Sequence, residues 1–403
     1  MAPPLLTAAR PAATAPPRQP EVRSHPHHAF RCELLRTHPA FEDWLAGGFL
    51  CLYAHEDPAL PFGFDLDFDT GDGRGTGPLD LEEHPREAVA TLPRAAALLA
   101  GAAGAGHAVL VHAEKSHVPG TDEYGRARAV GQVMYVRGPA PGTLRAHSTD
   151  AAGHYARAET TPAEAALACV EAGEGGEGTG RPRPVLLLRA RPDDGAHRFT
   201  PAALHLALTR ALDGRLVGRV GEFGGPREGR ASRITVGPAA SRTLYARAVR
   251  MLRGELPLDA RPFRVLLEHR RRLAAALELL AARAATGTGR AAAFAPSAAA
   301  LRRAVELRDR TAELSSWTTG EGAARPDADS WLERARAVLE RERLLHHLLC
   351  RETAPNRRVT VPVTAPASVT APAPVTGPDA GPSPAREPDP STAGPGGAGD
   401  GDH

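Results

Sequence analysis

An α+β fold, in which a mostly antiparallel sheet is flanked by helices and followed by a C-terminal helical bundle, is predicted by three observations. First, residues 106–113 and 130–136 are short apolar or alternating runs bounded by Gly and Pro, the pattern of paired strands, and residues 143–148 follow as a third. Second, these runs are preceded and followed by segments of helical periodicity. Third, the pattern changes near Pro257, beyond which long amphipathic stretches dominate.

Taken in order, residues 1–24 are rich in Pro and Ala and are expected to be disordered, because they offer too little apolar surface to offset the entropy of ordering. A helix beginning near Ala29 places Phe30, Leu34 and Leu35 on one face and stops before Pro39. A second short helix covers 41–46. Residues 47–53 form a strand or a buried helical turn. In 61–73, Phe62, Phe64, Leu66 and Phe68 alternate with Asp65, Asp67 and Asp69, which predicts a half-buried strand with the acids facing water. An Ala/Leu-rich helix follows over 85–103. After the central strands, Thr161, Pro162 and Glu164 signal a capped helix to 171. Residues 184–190 read as a buried strand, the last of the sheet, and helices are expected at 200–212 and 241–253.

From Pro262, helices over 262–285, 297–315 and 329–351 are joined by Gly/Pro loops. Leu266, Leu273, Leu277 and Leu280 recur at spacings of seven, four and three, so one face of the first is apolar. The repeated Val-Thr-Ala/Gly-Pro units and the Gly/Asp terminus predict a disordered tail over 354–403. The expected organisation is therefore a segment 1–24, an α+β domain 25–256, a bundle 257–353 and the tail.

Composition narrows function mostly by exclusion. The 403 residues carry 49 basic and 47 acidic side chains, a net charge of +2 with no basic stripe, so a nucleic-acid partner is not expected. Lys115 is the sole lysine, a bias of a GC-rich genome. Cys32, Cys51, Cys169 and Cys350 form no C-x-x-C pair, which argues against a zinc site or a disulfide framework. Residues 1–20 lack the roughly 7 to 15 apolar residues of a secretory signal, and no run is long enough to span a bilayer. A soluble cytoplasmic protein with no membrane partner is the expectation.

Cys32 is the candidate nucleophile. It follows His25, His27 and His28, and a thiol near a helix N-terminus and an imidazolium is activated as thiolate. It also needs a base, and His107, His112, His117, His147 and His154 all lie in the region that could supply it. The alternative is a buried Cys32 packing as a small hydrophobe, with the upstream histidines in solvent. The acids from Asp65 do not make an EF-hand, since Thr70 and Thr76 stand where Gly and Glu are required. His346, His347 and Cys350 share a helix but lack a second ligand pair. No metal and no cofactor is expected.

The order of features resembles the papain-like cysteine families that include the butirosin-type acyltransferase, and uncharacterised proteins encoded beside siderophore genes. The resemblance rests on the His-rich approach to Cys32, the loop with Phe62, Phe64 and Asp65, the strand with Val111 and His112 and its turn through Pro119, and the strand with Gln132 and Met134. It implies a papain-like sheet, a cysteine nucleophile, a histidine base and an orienting acid. Here the His-Cys step falls on His25 and Pro26, the base position on Gln132, and the acid position on Ser148 or Asp150. A glutamine amide cannot accept a proton at neutral pH. The resemblance thus implies a non-catalytic or degenerate relative, accessory to a specialised-metabolite pathway and partnered by an acyl carrier protein or pathway enzyme. The alternative it implies is an active acyltransferase that moves a carrier-bound acyl group through a Cys32 thioester.

Overall fold

A computed structural model of the chain describes residues 19–354, apart from 59, 71–76, 127, 150–153, 174–183, 194, 196, 217–232, 287–293 and 319–323. The fold is α+β with two mostly antiparallel sheets. The larger has six strands, β3 (Leu79–His84), β4 (Ala108–Glu114), β5 (Val130–Arg137), β6 (Leu144–Thr149), β7 (Tyr155–Thr160) and β8 (Val185–Ala190), in the order β3-β8-β4-β5-β6-β7. Each of these pairs is antiparallel. The strand expected over 184–190 is present, but β8 lies inside the sheet, and the edge beside it is β3. The acidic Leu79–His84 run was not anticipated as a strand, because Glu82 and Glu83 break any apolar alternation there.

The second sheet has three strands in the order β2-β1-β9, with β1 Leu52–Glu56, β2 Phe64–Phe68 and β9 Arg233–Val236. In β2, Phe64, Leu66 and Phe68 are buried as the alternation predicts. Asp67 departs from it: its side chain is buried as well.

Helices α1 (Pro26–Leu35) and α2 (Phe41–Gly48) lie where expected, and α1 starts early because Pro26, with no N–H to lose, occupies its first turn. The helix expected over 85–103 is α3 (Leu92–Gly104), preceded by a 3₁₀ turn at Arg86–Val89. In α4 (Pro162–Gly173) the capping box closes both ways: Glu164 N–H donates to Thr161 Oγ1 at 3.2 Å, and Thr161 N–H donates to the Glu164 carboxylate at 2.9 Å. Thr200, Ser297 and Asp327 cap α5 (Pro201–Asp213), α8 (Ala298–Ser315) and α9 (Ala328–Thr353) through their side-chain oxygens. Between these lie α6 (Pro238–Leu252) and α7 (Arg261–Ala285).

Two layers of apolar packing matter for the site. One face of the six-stranded sheet, with Val109, Val111, Val133 and Tyr135, packs under α3 and α4. The other face, with Leu110, Met134 and Leu188, packs under Ala29 and Phe30 of α1. The largest core joins the far side of α1 to α2, to the three-stranded sheet and to α5 through α9, including Leu266, Leu273, Leu277 and Leu280. The division expected at 256/257 therefore runs through a shared core. The described end of the segment expected to be disordered is packed too: Val22 is fully buried, and the Arg23 and Ser24 N–H groups donate to the Glu268 carboxylate, each at 3.0 Å. The rest of that segment and the tail from 355 lie outside the described residues, and no described helix is long and apolar enough to cross a membrane.

Candidate functional site

Positions two apart on a helix point about 200° apart, so Phe30 and Cys32 leave α1 on opposite sides. Phe30 packs on the six-stranded sheet and Cys32 enters the large core, where it has no exposed surface. Burial pushes its thiol up to about 12, against a hydrogen bond from the Val22 backbone that lowers it. Such a thiol stays protonated at neutral pH.

The strands do bring three of the other named residues together. His112 is directly opposite Gln132 in the β4–β5 pairing, and His147 is opposite Met134 in the β5–β6 pairing. By the two-residue alternation of strands, all three belong to the face that carries Leu110 and Met134 and looks toward α1. His147 is buried, shares a 2.5 Å hydrogen bond with the Tyr155 hydroxyl, and is lowered to about 3 by burial and by the Arg157 and Arg145 charges. His117 stands apart in a half-exposed 2.7 Å ion pair with Glu171 on α4. Asp150 lies outside the described residues. Lys115, whose ammonium donates to the Thr149 carbonyl and sits 3.7 Å from Glu123, covers Gly131 at the start of β5.

A different cluster is more completely built. The first turn of α1 lies along the open edge of β2, and the His25 Nε2–H donates to the Leu66 carbonyl at 2.8 Å, covering a strand edge that would otherwise be unpaired. From this turn three imidazoles converge on Asp67. His28 Nε2 is 2.7 Å from Oδ1, His27 Nε2 is 3.5 Å from Oδ2, and His25 Nε2 is 3.6 Å from Oδ1. Asp65 stands at the rim, 38% exposed, 3.8 Å from His25. The carboxylate of Asp67 is held in place by the Phe68 N–H at 2.7 Å and by the Tyr53 hydroxyl at 3.3 Å, Tyr53 being its cross-strand partner in β1.

The electrostatics follow from this geometry. Burial alone would raise the Asp67 carboxyl, but the three imidazoles outweigh it and hold it well below the usual range. Burial lowers His25 as well, yet the Asp67 and Asp65 carboxylates lift it to about 9. Burial and the neighbouring His27 take His28 down to about 3, against the pull of Asp67. His28 is thus neutral; because a carboxylate only accepts, its Nε2 carries the proton and its Nδ1 carries a lone pair. That Nδ1 is buried with no hydrogen-bond partner.

Among the described residues, His27, His28 and Asp67 are the one group of three metal-capable side chains whose donor atoms lie within 4.8 Å of one another. No protein-family model matches the chain, and no curated protein matches it.

Sequence reasoning named these histidines only as helpers of Cys32 or as solvent-exposed residues, and Asp67 as an outward acid. The signal that could have joined them is the pairing of a Pro-initiated helix start, dense in histidine, with an acid-alternating strand. Nothing in a linear sequence says that segments 39 positions apart meet.

Proposed function

We propose that the chain is a non-catalytic relative of papain-like cysteine acyltransferases, an accessory protein that binds an acyl or peptidyl intermediate, an acyl carrier protein or a pathway enzyme. The observation that carries this reading is Cys32: wholly buried, on the side of α1 turned away from the six-stranded sheet, with its thiol pushed up to about 12. A cysteine nucleophile works as thiolate with a base within hydrogen-bond reach, and a protonated thiol in an apolar core meets neither condition. Gln132, at the position where the resemblance calls for a base, adds to this, because its amide takes no proton at neutral pH. An antiparallel sheet with the first helix laid on it is in keeping with a papain-like arrangement. The place in a specialised-metabolite or siderophore pathway rests on the resemblance.

Thiol labelling of the intact protein across a pH series tests the reading. Slow labelling of all four cysteines near pH 6, unchanged in Cys32→Ala, is the expected outcome. A thiol that reacts fast near pH 6 and disappears in Cys32→Ala would instead support acyl transfer through a Cys32 thioester.

A further inference from the structure

We propose that His27, His28 and Asp67 form a binding site for one divalent first-row transition metal ion of the zinc type, closed on one side by α1 and on the other by β2. Two imidazoles and one carboxylate are a donor set suited to zinc, cobalt, nickel or ferrous ions, whereas calcium and magnesium prefer oxygen alone. Their donor atoms already lie within 4.8 Å of one another. Donors on a tetrahedral ion, bonded at about 2.0–2.1 Å, lie about 3.3 Å apart, so the site closes on an ion by movements of under roughly 1 Å per side chain. The His27 Nε2 to Asp67 Oδ2 separation of 3.5 Å is near that value as it stands.

Three further observations support a built site. The carboxylate is oriented by the Phe68 N–H and the Tyr53 hydroxyl, the kind of outer contact that fixes metal-ligating acids. His27 and His28 are successive positions on a helix, which ordinarily diverge, yet their ring centroids are 4.0 Å apart because both swing over the first turn toward Asp67. Asp65 at the rim places a second carboxylate beside the approach, 3.8 Å from His25.

The set supplies three protein ligands and leaves at least one coordination position for water or another small donor. Cys32 lies one turn beyond His28 on the same face of α1 but is not among the ligands, so Co²⁺ uptake and thiol labelling are separate readouts, and the metal site stands or falls apart from the reading above.

Tag-free full-length protein, stripped with a chelator and titrated with Co²⁺, is expected to take up one ion per chain with ligand-field absorption bands that Zn²⁺ abolishes. Asp67→Asn and His27→Gln should each weaken Co²⁺ binding on the order of 100-fold, and Tyr53→Phe about tenfold, with far-UV circular dichroism unchanged. His117→Gln, in its separate ion pair with Glu171, should bind as the parent does. If Asp67→Asn does not fold, His27→Gln and Tyr53→Phe decide the matter. Absence of stoichiometric Co²⁺ uptake, or uptake that survives His27→Gln undiminished, would overturn the proposal.

Discussion

Single side chains decide most of what this molecule can do. Cys32 and Phe30 sit two positions apart on one helix, and that offset sends the aromatic ring to the six-stranded sheet and the thiol to the large core. His147 illustrates the same control by burial. It and His346 are fully enclosed, and burial lowers them to about 3 and about 4, in His346 against the neighbouring Glu342 carboxylate. Both rings are therefore neutral in the fold, whereas in the unfolded chain they take up a proton below about 6.5. The unfolded state then binds more protons, so stability is fully present above that pH and falls as the pH drops toward the folded values. The expected slope is about 1.4 kcal/mol per pH unit for each ring. Urea unfolding of the parent and of His147→Gln at pH 7, 6 and 5 checks this: the variant should lose stability less steeply, by one proton's worth.

At the scale of elements, the joints between helices include a charged one. Ser241 of α6, Arg270 of α7 and Glu342 of α9 meet in the core: the guanidinium lies 2.6 Å from the Glu342 carboxylate and donates to Ser241 Oγ at 3.0 Å, and Ser241 in turn donates to Glu342 at 3.2 Å. His269, beside Arg270, reaches the Leu50 carbonyl at 3.0 Å and so ties α7 to the turn before β1. Removing one partner of such a pair leaves a buried charge without its counterion, so Glu342→Leu should destabilise by about 3–5 kcal/mol. Pairing it with Arg270→Met should recover most of that loss, as read from chemical denaturation midpoints. Helix positions were largely legible in the sequence because their signals are local: Thr161 with Glu164, Thr200 before Pro201, and Ser297 each act within one turn. The buried acids and bases were not, because Asp67, Arg270 and Glu342 look like surface residues until their partners arrive from distant segments. The strand β3 was missed for a related reason: it is an edge whose Glu82 and Glu83 face solvent, and only pairing with β8 shows it to be a strand.

Across the whole molecule, one core joins α1, α2, the three-stranded sheet and α5 through α9. The periodic leucines of 266–280 predicted an apolar face correctly; what that face covers could not be read from its own period. Because Trp44, Trp317 and Trp331 all lie in this core, tryptophan fluorescence and far-UV circular dichroism should give coincident urea transitions. Leu277→Ala, which empties a fully buried site there, should destabilise by about 2–5 kcal/mol and lower both midpoints together. A fluorescence midpoint that shifted alone would indicate that the C-terminal helices unfold by themselves.

Lys115, folded over Gly131 with its ammonium on the Thr149 carbonyl, is the chain's one lysine among 49 basic residues, so every other basic side chain is an arginine. Arginine keeps its charge far into alkali. Alkaline titration therefore discharges almost none of the cationic surface, and acylating reagents aimed at amines find a single sheltered side-chain target beside the start of β5.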